Sequence, residues 1–309
     1  MAESLYQRDV YGKTLVELGR QDKDIVVLDA DLSSSTRTSL FAKEFPQRFF
    51  NFGVAEQNMM ATAAGLASCG KKVFVSTFAM FATGRTWDQV RNTVAFNEFD
   101  VKIVATHAGV TVGPDGSSHQ ALEDVALMRV IPGMKIIVPC DAPQTGEAVI
   151  TALKTPGPFY IRLGRSKVPT IEGKGEFKLG QGQVINVGKD VTIVACGIMV
   201  GEALTAVRNL AAKGISARLI NMHTIRPLDK DILIQAARDT GRIVTCEEHS
   251  ITGGLGSAVD EVISENCPVK TRRVAVKNRF GQSGEPAELL KEYNLSSLDI
   301  EKAVLSIIS

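Results

Sequence analysis

Two histidines and an acid share one short stretch: His107, Asp115 and His119 all fall within residues 107–120, a run rich in glycine and serine. Histidine changes charge nearest neutral pH, and a carboxylate accepts hydrogen bonds from hydroxyl groups. Glycines let a backbone approach a ligand closely. The pattern suits a polar, hydroxylated substrate. It meets no strict metal-ligand spacing, so no metal ligand is expected here. The alternative for each histidine is a surface or hydrogen-bonded loop residue. A second candidate is Glu56, the one carboxylate of RFFNFGVAEQNMMATAAGLASCG, residues 48–70. Its neighbours are small or apolar, and burying an unpaired carboxylate is costly, so Glu56 is expected to hold or share a proton. The alternative is an acid placed in a first helical turn by the macrodipole alone. Phe78 and Phe81 are three apart, which fits an ordinary hydrophobic pair on a helix. Asp29, Asp31 and the serines at 33–35 form a further polar cluster.

These residues need elements to hold them. Residues 5–19 carry a helical apolar face, and 24–28 (DIVVL) reads as a short buried strand followed by a polar loop over 29–38. The Glu56 helix is expected to end at Gly70, where a C-terminal cap belongs. Strands are expected at 72–77, 101–106, 135–139 and 159–163. Helices are expected at 86–97, from 121 and from 143. After a glycine- and lysine-rich stretch the alternation restarts, with strands at 191–196, 216–221, 243–247 and 272–276. Helices are expected between and after them, at 199–212, 229–239, 255–266 and 287–293. Continuous apolar strands alternating with helices imply parallel sheets covered on both faces. The fold class is therefore α/β: two consecutive domains, each with a mostly parallel sheet flanked by helices. Residues 1–166 form the first domain, 167–182 a linker and 183–309 the second. In such sheets ligands sit beyond the carboxyl ends of strands, which is where the candidate residues fall. Gly253 to Gly256 resembles an anion-binding turn but lacks the third glycine of the dinucleotide fingerprint, so it reads as tight helix–strand packing.

The 309 residues suffice for two cores. A net charge of +1 gives no electrostatic case for nucleic acid or an anionic membrane. The five cysteines are scattered, odd in number and never in a Cys-x-x-Cys pair, which reads as reduced thiols. With neither a signal-peptide core nor an apolar run of spanning length, a cytoplasmic protein is expected.

Taken together, the motifs resemble those of the transketolase family over essentially the whole chain. The matching segments are GVAEQNM around Glu56, STFAMF at 76–81, THAGVTVGPDGSSHQALEDVA at 106–126, FYIRLGR at 159–165 and RFGQSGEPAELL at 279–290. The His-x7-Asp-x3-His pattern is the most specific of them. The chain looks like the C-terminal half of a transketolase, a pyrimidine-binding domain followed by a C-terminal domain. The resemblance implies thiamine diphosphate as cofactor, with Mg2+ or Ca2+, in the pentose phosphate pathway. Glu56 would share a proton with the cofactor's aminopyrimidine, the step that activates it as a nucleophile. Phe81 would stack on the pyrimidine, with Phe78 lining the pocket and Asp31 facing the cofactor. His107 and His119 would hydrogen-bond the oxygens of a ketose, His119 counting with Glu56 as catalytic, and Asp115 would read a sugar hydroxyl. Arg8, Ser35 and Arg165 match phosphate-end contacts, with Arg162 as an alternative to Arg165. Gly84 departs from the pattern, because many relatives place an aromatic there.

The family's diphosphate and metal signature, Gly-Asp-Gly followed by Asn-Asn, is missing; GPDG at 113–116 is the nearest string. The resemblance therefore implies a split enzyme. A separate N-terminal subunit would hold the metal and diphosphate, in an α2β2 heterotetramer acting on sugar phosphates. Three alternatives stand beside this reading. One is a deoxyxylulose phosphate synthase-like enzyme, one a 2-oxoacid dehydrogenase β subunit, and one a non-catalytic structural partner.

Overall fold

The computed structural model describes residues 3–308; Met1, Ala2 and Ser309, the outermost residues of the two expected domains, lie outside the described residues. Seven strands form the first sheet, in the order Thr224–Arg226, Lys135–Ile137, Phe159–Arg162, Val101–Ala105, Lys72–Ser76, Ile25–Asp29 and Phe49–Asn51. All neighbours are parallel except the first pair. The central strands Ile25–Asp29 and Val101–Ala105 are buried along their whole length, as near-continuous Val and Ile runs require when helices cover both faces. Five strands form the second sheet: Lys270–Val276, Arg242–Ser250, Val191–Ala195, Ala217–Asn221 and Gln183–Asn186, the last antiparallel. A two-stranded ribbon joins Ser4–Tyr6 to Lys167–Pro169, so part of the expected linker is held against the N-terminal end of the chain.

The helix Glu56–Ser68 follows from its composition. Glu56, Met59, Met60, Ala63 and Ala64 are buried, a single stripe at helical spacing. It ends at Cys69, after which Gly70 adopts φ +83. Gly70 N donates to Ala67 O and Lys71 N to Leu66 O, the paired bonds of a Schellman cap. The helix expected at 86–97 starts earlier and is wound differently. Wide i→i+5 turns occupy Phe81–Arg85 and Gln89–Ala95, a form of helix often met at functional sites.

Among the elements not expected are the short helix Ser33–Thr36 inside the expected loop 29–38, the edge strands Phe49–Asn51 and Gln183–Asn186, the final helix Ser297–Ile308 and, last, the strand Thr224–Arg226. The last couples the two halves. It lies in the second half of the chain but pairs with Lys135–Ile137 of the first sheet, and Val138 N donates to His223 O at 2.7 Å. Apolar packing follows the same route, for Ile136 and Val138 share one core with Ile220, Met222, Ile225 and Leu233. The GGLG turn packs as expected: Glu247 accepts from Leu255 N at 2.7 Å and Gly256 N at 2.8 Å, so the chain's own carboxylate fills that helix start.

Asp141 is the clearest single tie between the linker and the first domain. It caps the helix Ala142–Lys154 through Gln144 N at 2.8 Å, and also accepts from Ile171 N at 2.8 Å and Lys174 Nζ at 2.6 Å. Asp141→Ala is expected to cost about 3 kcal/mol, because it removes a cap and strands a buried N–H and an ammonium. Asp141→Asn keeps the cap through Oδ1 but turns an amide NH2 towards Ile171 N and Lys174 Nζ, so it should recover only the cap's share, about 1 kcal/mol. Urea unfolding of the two variants checks the order, and equal losses would show that the cap contributes nothing.

Candidate active site

Glu56 opens its helix and is 2 % exposed. The expectation of an unpaired carboxylate is corrected by its neighbour Arg85, whose Nη1 donates to both carboxylate oxygens at 2.8 Å. Arg85 comes from the wide turn Phe81–Arg85, which brings its guanidinium 4.6 Å from the centre of the Phe81 ring. The Arg85 side chain keeps 45 % of its surface in solvent, so the carboxylate is sealed while its partner is not. Phe78 and Phe81 lie nearly parallel, 16° apart with centroids at 6.2 Å. The place bounded by Glu56 and Phe81 thus accepts a flat group that donates hydrogen bonds to a carboxylate and lies against an aromatic face.

His107 follows the strand Val101–Ala105 and has φ +58, a region costly for any residue with a side chain. Its ring stacks on Phe78 with centroids 3.8 Å apart, and its Nδ1 lies 2.9 Å from Thr106 Oγ1. Burial, with the nearby charges of Arg8, Arg165 and His119, lowers its pKa to about 3. His107 is therefore a neutral imidazole at pH 7. His119 is half-buried and meets Phe81 edge-on at 5.4 Å and Phe78 at 6.1 Å. Asp115 is exposed at the end of the tight turns Val110–Asp115, four residues before His119. Glu56, Phe78, Phe81, His107 and His119 are thereby linked through successive ring and ion contacts into one site.

A cationic cleft lies at a second position. Arg8, Arg165 and Lys167 line it with Tyr6, Ser166 and one carboxylate, Glu285, so the positive charges outnumber the negative. Arg8 Nη1 donates to the backbone oxygen of Ser35 at 3.2 Å, and its Nε is buried without a partner. Arg165 Nη1 donates to Val112 O at 2.8 Å, which sets it beside the histidine-bearing loop. Arg162, the alternative to Arg165, is elsewhere: its Nε binds Asp124 at 2.7 Å in the interior and does not reach the cleft. Asp31 is exposed with φ +64, and Asn51 binds both its N–H and its carboxylate. Asp29, which the sequence grouped with it, is fully buried and accepts from Thr36, Thr38 and Leu32 N, so it folds the 32–38 loop from inside. A Cβ at Gly84 would meet only Met80 Sδ, at 3.7 Å.

Sequence reasoning did not single out Arg85, Lys167, Gln120 or Glu248. Arg85 carried a faint signal, lying four residues beyond Phe81; the others are brought in by tertiary folding alone. No group of three or more His, Cys, Asp or Glu side chains among the described residues is placed to hold a metal ion. No helix among them is long and apolar enough to cross a membrane.

Comparison with known proteins bears on both halves. The family model for the transketolase pyrimidine binding domain matches residues 3–170, and that for the transketolase C-terminal domain matches residues 180–300. The 6-deoxy-6-sulfo-D-fructose transketolase subunit SqwH of Clostridium sp. is 42% identical over 97% of this chain and 94% of its own length. A subunit of the apulose-4-phosphate transketolase of Phocaeicola vulgatus is 41% identical over 97% of each chain. A solved structure described as a split gene transketolase, inactive beta4 tetramer, is 50% identical with a TM-score of 0.91 and covers 99% of both chains.

The neutral state of His107 has a measurable consequence. A histidine whose pKa is lowered on folding binds its proton better in the unfolded chain. Its contribution is complete above about 6.5 and is lost as pH falls towards about 3. His223, lowered by burial to about 4, acts in the same direction. The unfolding free energy should decline as pH is lowered from about 6.5, and His107→Gln should flatten part of that decline. Urea midpoints across this range check it; identical slopes in the two proteins would contradict a neutral His107.

Proposed function

The chain belongs to the transketolase family, as a C-terminal subunit of the split kind, and on that premise we propose how its residues serve ketol transfer. The reaction moves a two-carbon unit from a ketose phosphate to an aldose phosphate. The carrying observation is Glu56: a sealed carboxylate facing an aromatic ring and already holding a flat, cationic hydrogen-bond donor. The residues fit a thiamine-type aminopyrimidine, since Arg85 stands in for it in both contacts.

Thiamine diphosphate, when bound, supplies the carbon nucleophile that accepts the two-carbon unit and passes it on. Glu56 holds a proton at a nitrogen of the aminopyrimidine, in a place that excludes water. Arg85 must release Glu56 for this; its half-exposed side chain can swing outward without unpacking the core. Phe81 offers its face to the ring, and Phe78 backs both Phe81 and His107. Asp31, held by Asn51, would face the cofactor.

With Nδ1 engaged by Thr106, neutral His107 has Nε2 free for a hydroxyl or carbonyl oxygen of the sugar. His119, edge-on to the same aromatic pair, exchanges protons with the substrate oxygens. Asp115 accepts from a sugar hydroxyl. Arg8 and Arg165, with Ser35, receive the anionic end of the substrate, and Lys167 adds charge to that cleft. The diphosphate and its Mg2+ or Ca2+ are gripped by the N-terminal subunit, two copies of each chain making a heterotetramer in the cytoplasm. The relatives named above act on different sugars, and the anionic end is the feature this cleft recognises.

Purified alone, the chain should show no ketol transfer, and adding the N-terminal subunit with thiamine diphosphate and Mg2+ should produce it. In that complex Glu56→Gln should lower kcat by about a thousandfold while circular dichroism and assembly stay as in the parent. Full activity from the lone chain would overturn the split assignment, and unchanged turnover in Glu56→Gln would overturn the catalytic one.

A further inference from the structure

The loop that carries His107, Asp115 and His119 is held from behind by the second half of the chain. Glu248, near the end of the strand Arg242–Ser250, is 4 % exposed and accepts from Thr111 N at 2.6 Å. Gly109, with φ +83, rests against the same carboxylate: a Cβ there would lie 2.2 Å from Glu248 Cδ. A Cβ on Gly116 would lie 2.7 Å from Ser283 Oγ, and one on Gly113 would lie 3.2 Å from Gly284 O. Contacts run the other way as well. A Cβ on Gly281 would lie 1.8 Å from Gln120 Oε1, while Gln120 Nε2 donates to Gln282 O at 2.9 Å and to Val110 O at 3.0 Å. The loop's glycines therefore permit close approach of the second domain, where the sequence alone suggested close approach of a ligand.

We propose that Glu248 and the segment 281–284 are positioning residues for ketol transfer, holding residues 109–120 so that His107 and His119 both meet Phe78. The proposal rests on the reading of His107, Asp115 and His119 as sugar contacts. Glu248 spends its carboxylate on a backbone N–H of the loop and on the face of Gly109, both within eight residues of a proposed sugar contact. Burying a carboxylate is a costly way to fill space, since an apolar side chain of similar size fills a core more cheaply. Arg162, the cation beside it, is already committed to Asp124 through Nε and to backbone oxygens of Ala121 and Glu248 through Nη2. Burial, opposed by Arg162 and by Thr111, pushes the Glu248 carboxyl up to about 7. The second half of the chain thus contributes to the site without touching substrate.

The test uses the complex with the N-terminal subunit. Glu248→Ala should raise KM for the ketose phosphate about tenfold, lower kcat about tenfold because His119 is displaced with the loop, and leave thiamine diphosphate affinity within about twofold. Glu248→Gln keeps an acceptor for Thr111 N and should bring KM back to within about threefold of the parent. An unchanged KM in Glu248→Ala with a lowered Tm would overturn the proposal, as would equal losses of sugar and cofactor binding. Should Glu248→Ala not assemble, Gln120→Ala removes the second tie and carries the same expectation, and an unchanged KM there would overturn it. His107→Ala and His119→Ala separate this from the underlying reading. Under that reading they raise KM whatever Glu248 does, and unchanged KM in both would remove the sugar contacts and the positioning role together.

Discussion

A carboxylate closed off at the start of a helix needs a partner, and in this chain Glu56 takes it from the solvent side. Its own helix start favours a negative charge, but the neighbouring methionines and alanines offer it no hydrogen bond. Arg85 completes the pair with a side chain that reaches in from the surface. The proposed function asks that this guanidinium be exchanged for a flat heterocycle, and the half-exposed position of Arg85 is compatible with that exchange. The pairing also suits a subunit that must persist before its partner arrives, because a buried carboxylate left without a counter-group would weaken the fold.

The second domain is joined to the first at several levels. A strand from residues 224–226 closes the edge of the first sheet, and one apolar core runs through both halves. Buried polar groups follow the same boundary, where Asp124 and Arg162 of the first half meet the backbone of Glu248 and the ring of His249. Separate rigid bodies joined by a linker would not account for a histidine-bearing loop that is braced on one side by aromatic rings of its own domain and on the other by residues 281–284. On the proposed function the chain presents the ring-binding and sugar-binding groups, and contacts from both of its domains hold the loop that carries them.

Much of this was legible in local pattern. The stripe of Met and Ala after Glu56 and the capping glycine at 70 predict that helix and its end, and the Val and Ile runs predict the central strands. The His-x7-Asp-x3-His spacing pointed to the loop at 107–120, and two of its three polar residues do meet the aromatic pair. What stayed hidden depends on contacts distant in sequence. The three residues 224–226 are too few to show an alternation, and their partner strand lies almost ninety residues earlier. Arg85 reads as an ordinary surface arginine until the wide helical turn swings it over Phe81. Glycines signal close approach, but which neighbour approaches is written in the second domain.

The most direct measurement is a high-resolution structure of this chain assembled with its N-terminal subunit, thiamine diphosphate and metal. The account expects Glu56 within hydrogen-bonding distance of a pyrimidine nitrogen, the ring lying on Phe81, and the Arg85 guanidinium displaced from both carboxylate oxygens. A loaded complex in which Arg85 still holds Glu56, with the cofactor ring bound elsewhere, would contradict it.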